Sequence, residues 1–259
     1  QPGIQQKKLI TPAYNEPLYR EHILLQENYL NNTSSAFHTF IKPFIHSTEF
    51  KNINDSINTN LLHVRVKKDT ADDYRDHPIM NISPLLNIQP GYDLKNSATA
   101  LEGSAGAQLG FYYSNKLAIS IGALWSDSKF PGYLDSAIKQ THVVPGMGTA
   151  YGSKTGYSSE NYFGYVSWSP NKIFNLQAGK DKHFWGDGYR SLFLSAVAPN
   201  YPYFKITTNI WKLNYVSMYT AFKDATDPSH IKANYKNKYG TFHYLSWNVT
   251  KRLNIGLFE

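Results

Sequence analysis

From Leu101 to Tyr113 the chain alternates almost without interruption. Leu101, Ala105, Ala107, Leu109, Phe111 and Tyr113 fall on one face, and Glu102, Ser104, Gly106, Gln108, Gly110 and Tyr112 on the other. Side chains of a strand point to opposite faces with period two, so this segment is a strand with one apolar and one small or polar face. After Ser114-Asn115-Lys116 the pattern returns, with Leu117, Ile119, Ile121, Ala123 and Trp125 set against Ala118, Ser120 and Gly122. Phe174, Leu176 and Ala178 oppose Asn175, Gln177 and Gly179, and Phe204, Ile206, Thr208 and Ile210 oppose Lys205, Thr207 and Asn209. Further runs are Leu213 to Phe222, Tyr239 to Val249 and Leu253 to Leu257, with shorter signals at Leu62-Val64-Val66 and Leu86-Ile88. A chain written this way folds all-β. Alternation alone fits a soluble sandwich as well as a membrane barrel.

The connections separate the two. Turns at Asn115, Pro170, Lys212 and Lys251 are tight, whereas the stretches Ser126 to Glu160, Asp181 to Tyr203 and Lys223 to Lys238 are long. Up-and-down membrane barrels alternate short turns on one side with long loops on the other. The second face of the strands carries Asn, Gln, Ser, Gly and Lys, which suits a wet lumen. The expected architecture is therefore an antiparallel transmembrane β-barrel of the outer-membrane kind. No run approaches the roughly 18 apolar residues of a membrane helix, and a barrel needs none. Tyr 20, Phe 14 and Trp 5 supply rings for the bilayer interfaces. About nine or ten strands can be traced, against the even numbers from 8 upward of bacterial barrels. Because the last residues, Leu257-Phe258-Glu259, read as the inside of a strand, residues 61–259 are expected to be part of a larger barrel.

Residues 1–60 differ from the rest and are expected to form a helical or irregular segment. Pro17 opens a helix with Leu18, His22, Leu25 and Tyr29 on one face. Ala36 to Phe50 is aromatic and irregular. The start at Gln1-Pro2-Gly3 suits a mature chain after signal-peptide removal, or an expression fragment. Cysteine is absent, which removes disulfides and thiolate metal sites. The net charge of +7 is spread over turns and loops instead of being blocked, which points to an acidic glycan or lipid surface and away from nucleic acid.

The densest chemistry lies after the hairpin of Tyr162 to Ser169 and Ile173 to Lys180. Lys180, Asp181, Lys182, His183, Trp185, Asp187, Tyr189 and Arg190 follow one another there, punctuated by Gly179, Gly186 and Gly188 and closed by Pro199 and Pro202. Two expectations stand side by side. Aromatic rings stack on the C–H faces of sugars while carboxylate, Arg and Lys hydrogen-bond hydroxyls or pair with uronates, so these eight side chains are candidate glycan contacts. The other expectation is structural: the glycines and prolines shape a turn, the charges pair with one another across a lumen, and Trp185 sits in the interface belt.

The run Asn161-Tyr162-Phe163-Gly164, then Pro170-Asn171, Asn175-Leu176-Gln177-Ala178-Gly179-Lys180-Asp181, Trp185-Gly186-Asp187-Gly188-Tyr189-Arg190-Ser191-Leu192 and Pro199-Asn200-Tyr201-Pro202, resembles the Wzi-type capsule-assembly family. It is more similar still to the gliding-motility RemB-like members of the Bacteroidetes. The resemblance is specific from Tyr162 to Phe222 and diffuse before it. It implies a bacterial outer-membrane barrel with the N-terminal material on the periplasmic side. Two roles are implied: holding capsular or other surface polysaccharide, or serving as an accessory subunit of a gliding or secretion machine through contacts with envelope proteins.

Neither cofactor nor metal is expected. The Gly-rich stretch Pro145 to Gly152 lacks the Gly-Lys-Ser/Thr of a phosphate cradle and reads as a flexible surface loop. His183, His230 and His243 have no ligand spacing, and Asp72-Asp73, Asp76 and His77 lack an EF-hand pattern. There is no Gly-x-Ser-x-Gly elbow and no His-Glu-x-x-His, so the chain reads as a non-enzyme; Asp181 and Asp187 are the one carboxylate pair in this stretch to weigh for glycoside hydrolysis.

Overall fold

The computed structural model describes residues 64–65, 78–113, 116–144, 146–149, 151–152, 156–186, 192–195, 198–224 and 235–259. The expected helix at Pro17, the segment Ala36 to Phe50 and the Asp72 to His77 group lie outside the described residues, as do Asp187, Gly188, Tyr189 and Arg190.

Period-two alternation produces one antiparallel sheet of eleven strands. In chain order the elements are β1 (Val64–Arg65), β2 (Ile79–Asp93), β3 (Ala98–Tyr113), β4 (Leu117–Lys129), α1 (Gly132–Thr141), β5 (Val143–Val144), β6 (Gly148–Thr149), β7 (Tyr151–Gly152), β8 (Tyr157–Trp168), β9 (Phe174–Asp181), β10 (Tyr201–Ile210), β11 (Leu213–Lys223), β12 (Asn237–Asn248) and β13 (Asn254–Phe258). The sheet runs β1-β2-β3-β4-β8-β9-β10-β11-β12-β13, with β7 beside β8, while β5 and β6 form a separate small hairpin. Each long strand is hydrogen-bonded to its sequence neighbour, so the connections fall alternately at the two ends of the sheet. Among the described residues the sheet is open, with β1 and β13 at its two ends.

The expected faces hold in the register. Leu109 pairs with Ile121 and Ile82 on the exposed face, and Gln108 with Gly122 and Ser83 on the other. What distinguishes the sheet is which face is covered. Ser104, Gln108, Ser120, Ser126, Ser167, Asn175, Gln177, Lys205, Thr207 and Ser246 are buried, whereas Leu86, Ile88, Leu109, Ile121, Trp125, Val166, Phe204 and Leu257 are exposed. The covered polar groups bond across strands: Ser104 Oγ to Ser126 Oγ at 2.8 Å, Gln108 Nε2 to Ser120 Oγ at 2.7 Å, and Asn175 Nδ2 to Ser167 Oγ at 2.8 Å. Such pairing is required when amides and hydroxyls leave water.

Three elements extend or correct the sequence reading. β2 is longer than its Leu86-Ile88 signal because it runs through Pro84 and Pro90. Proline is tolerated there since β1 pairs with β2 only at Ile82 and Asn81, leaving the rest of that edge without a described partner. The stretch Ser126 to Glu160 is not one long loop. β4 continues to Lys129, β8 begins at Tyr157, and α1 lies between them. The helix is seeded from another connection: Asp93 Oδ2 accepts the Gly132 N–H at 2.7 Å, a carboxylate at a helix N-terminus. It closes on His142, whose left-handed φ of 54° directs its N–H to Ile138 O. Pro145 to Gly152, expected to be a flexible loop, instead contributes β6 to the hairpin with β5, and β7 to the edge of β8.

Candidate functional site

β9 and β10 position the candidate cluster. Their register sets Asp181 opposite Tyr201, Lys180 opposite Pro202 and Gly179 opposite Tyr203. Odd-numbered residues of both strands face the covered side, so Asp181, Tyr201, Tyr203 and Lys205 share it while Lys180 stands on the exposed face. Gly179 and Pro202, expected to shape a turn, are strand residues instead. Gly179 is needed for close approach: a Cβ there would come within 2.7 Å of Tyr165 Cα. Gly186 does serve a turn, with φ +106° and room so small that a Cβ would lie 2.9 Å from Leu192 Cβ. Pro199 lies in the loop beside Gly148, where a Cβ on that glycine would meet Pro199 Cβ at 3.3 Å.

Asp181 is 1% exposed and Lys205 7%, a buried carboxylate and a buried ammonium on adjacent strands. A lone charge in such a place is prohibitive, and Asp181 supplies the compensating field at Lys205. The Lys205 Nζ also stands 5.8 Å from the Tyr203 ring centroid. Just past β9, the buried His183 ring meets Tyr203 edge-on at 4.2 Å and lies 5.6 Å from Tyr201. Lys182 turns toward the preceding long connection, its Nζ donating to Gly146 O at 2.5 Å while its N–H donates to Asp181 Oδ1 at 2.7 Å. Burial lowers the pKa of the Lys182 ammonium, and Asp181 opposes that shift.

Trp185 is 1% exposed and belongs to the covered core with Tyr165, Tyr201, Tyr203, Val216, Met218 and Tyr244. It is therefore not in an interface belt, and its indole presents no open face to a sugar. Its backbone bridges to Leu194, with Trp185 N–H donating to Leu194 O at 3.0 Å and Leu194 N–H returning to Trp185 O at 3.2 Å. Its ring meets Phe258 edge-on at 6.1 Å, and Phe193 stacks on Phe258 at 4.4 Å. The described residues of the β9–β10 connection thus fold inward over the covered face of β10 to β13, anchored by Lys182, His183 and Trp185. Of the described candidate glycan contacts, only Lys180 is exposed. The sequence reading placed Lys205 on the polar face but did not assign it, Tyr201 or Tyr203 to the cluster. The strand register brings them there.

The cluster predicts a pH dependence. Burial, and then the neighbouring Lys205, hold the His183 imidazole well below its ordinary pKa, so it is neutral in the folded chain. The unfolded chain binds a proton near pH 6.5. The folded state therefore binds fewer protons below that pH, and stability falls as pH falls, by up to about 1.4 kcal/mol per unit below about 6.5. Protease protection of residues 182–200 should weaken between pH 7.5 and 5, with a shallower slope in His183→Gln. An equal slope in the variant would assign the dependence to other groups.

Comparison with protein-family models, with curated proteins and with solved structures returns no match to this chain.

Proposed function

We propose that the chain forms part of a β-barrel spanning a bacterial outer membrane, and that the end bearing its long connections binds or organises surface polysaccharide. The observation that carries the membrane reading is the exposed apolar face: the opposite face, which combines polar side chains such as Ser104, Gln108 and Asn175 with an aromatic core around Trp185 and Tyr244, is the covered one. Within the strands, charged residues on the exposed face come only near the long connections, as Asp127 and Lys129 in β4, Glu160 in β8, Lys180 in β9 and Lys223 in β11. Elsewhere that face is mostly aliphatic or aromatic, with Thr208 in β10, Ser217 in β11, and Thr241 and His243 in β12 as polar members, and Glu259 beside His243 just past β13. From Leu117 to Trp125 along β4, at about 3.3 Å per residue, the apolar series covers roughly 26 Å. Leu117 to Trp125 is thus of the length, about 9–11 residues, with which a tilted strand crosses the hydrocarbon of a bilayer. Rings flank it, with Trp125 edge-on to Tyr162 at 6.3 Å toward the long connections.

Sugar binding is supported by what the long-connection end exposes. Tyr133, Tyr151 and Tyr239 offer open ring faces, and Lys129, Lys223 and Lys236 offer donors to hydroxyls or uronates. These surface rings take the stacking role that the buried position of Trp185 denies it. The test is binding of a polyuronate and of neutral dextran to the chain in detergent or nanodiscs. With each ring contributing about 0.5–1.5 kcal/mol, the triple variant Tyr133→Ala/Tyr151→Ala/Tyr239→Ala should bind at least about tenfold more weakly with its folded fraction unchanged. Undiminished binding by that variant, or no binding by the wild-type chain, would remove the polysaccharide role.

A further inference from the structure

The tight turns share a chemistry that the sheet itself does not require. Lys116 precedes β4, Lys172 separates β8 from β9, Lys212 lies between β10 and β11, and Lys251 and Arg252 lie between β12 and β13; all five are exposed. Antiparallel order puts these four connections at one end of the sheet. No Asp or Glu occurs among their described residues. The opposite end mixes signs, with Asp93, Asp127, Asp135, Glu160 and Asp224 among its lysines, and forms ion pairs such as Lys139–Asp135 at 2.7 Å and Lys238–Asp224 at 2.8 Å.

A second observation lies beside these four cationic turns. Trp168 pairs with Leu117 at the start of β4, and Trp247 with Leu213 at the start of β11. Both indoles are exposed at the foot of the apolar face, and Trp211 is exposed in the β10–β11 turn itself. Lys212 Nζ lies 5.2 Å from the Trp211 ring centroid, so ammonium and indole are presented together. Three of the five tryptophans therefore stand directly behind the cations. Indoles settle at the headgroup level of a bilayer, and Lys and Arg beyond them reach phosphates.

We infer that the tight-turn end is a docking surface for anionic phospholipid headgroups, and so the end that faces a phospholipid leaflet. The inference rests on the membrane-spanning reading and adds to it a lipid class and an orientation. Surface polysaccharide at the long-connection end then lies on the opposite side of the bilayer.

The test compares vesicles of phosphatidylcholine with vesicles that also contain phosphatidylglycerol, using the full chain, flotation to measure partition and heat-modifiable gel mobility to measure folding. Each cation near an anionic surface is worth about fivefold in partition. The wild-type chain should gain at least about tenfold on phosphatidylglycerol vesicles. That gain should vanish at high salt and in Lys116→Gln/Lys172→Gln/Lys212→Gln/Lys251→Gln/Arg252→Gln. The opposite-end variant Lys129→Gln/Lys223→Gln/Lys236→Gln should keep it. An equal gain in both variants, or no gain in the wild type, overturns the docking surface while leaving the spanning reading in place. Failure of the wild-type chain to fold into phosphatidylcholine vesicles as well would remove the spanning reading, and the inference with it.

Discussion

Ile121→Arg is expected to lower the stability of the chain in a bilayer by about 2–4 kcal/mol, the cost of a guanidinium at the midplane of a barrel's lipid face. Ile121 is 57% exposed, and its cross-strand partners Leu109 and Gly164 continue the apolar face on both sides. The prediction discriminates because its sign depends on the solvent. At an exposed position of a water-soluble sheet the same change lies within about 0.5 kcal/mol and reduces the apolar surface. Equilibrium urea unfolding in vesicles measures it. Moving the arginine to the long-connection end, as Trp125→Arg, should cost less, since the penalty falls toward about 0–1 kcal/mol near the interface. Equal, negligible effects at both positions would mean that this face meets water.

Trp185→Ala is expected to cost about 3–5 kcal/mol, the usual range for emptying a buried aromatic site. The loss should be local, because the indole joins the β9–β10 connection to Tyr244 on β12 and Phe258 on β13. Once it is gone, the bridge to Leu194 and the Phe193–Phe258 stack lose their support, and residues 182–200 should become the first site of proteolysis. Trp185→Phe should retain part of the stability. If Trp185 served only to stack on a ligand, its removal would weaken sugar binding and leave denaturation and proteolysis unchanged.

The strands were legible because their signal is local. Phe174 to Gly179 and Leu117 to Trp125 state their two faces within one segment, and the turns at Asn115 and Pro170 fix where each strand reverses. α1 left no such mark, since Ile138 is its one buried side chain and a single apolar contact makes no stripe. Its N-terminus depends on Asp93, far back in the chain, which no periodicity within Gly132–Thr141 encodes. The candidate site was half legible for the same reason. The run from Lys180 to Trp185 is conspicuous in composition, but the direction in which Trp185 points is set by the space over β10 to β13. Lys205 and Tyr203 join His183 only through the pairing of β9 with β10, a property of register and not of any one segment.

The apolar face meeting lipid is the central claim, and one measurement addresses it directly. The chain has no cysteine, so single spin labels can be placed at each position from Leu117 to Trp125 of β4 without background. Power-saturation spectroscopy then compares collision with oxygen, which concentrates in lipid, against a water-soluble nickel chelate, in reconstituted vesicles. Labels at 117, 119, 121, 123 and 125 should be accessible to oxygen and shielded from nickel, with a depth profile deepest near Ile121. Labels at 118, 120, 122 and 124 should show low oxygen access. If the odd-numbered positions respond to nickel throughout, the exposed face is in water and the chain does not span a membrane through this sheet.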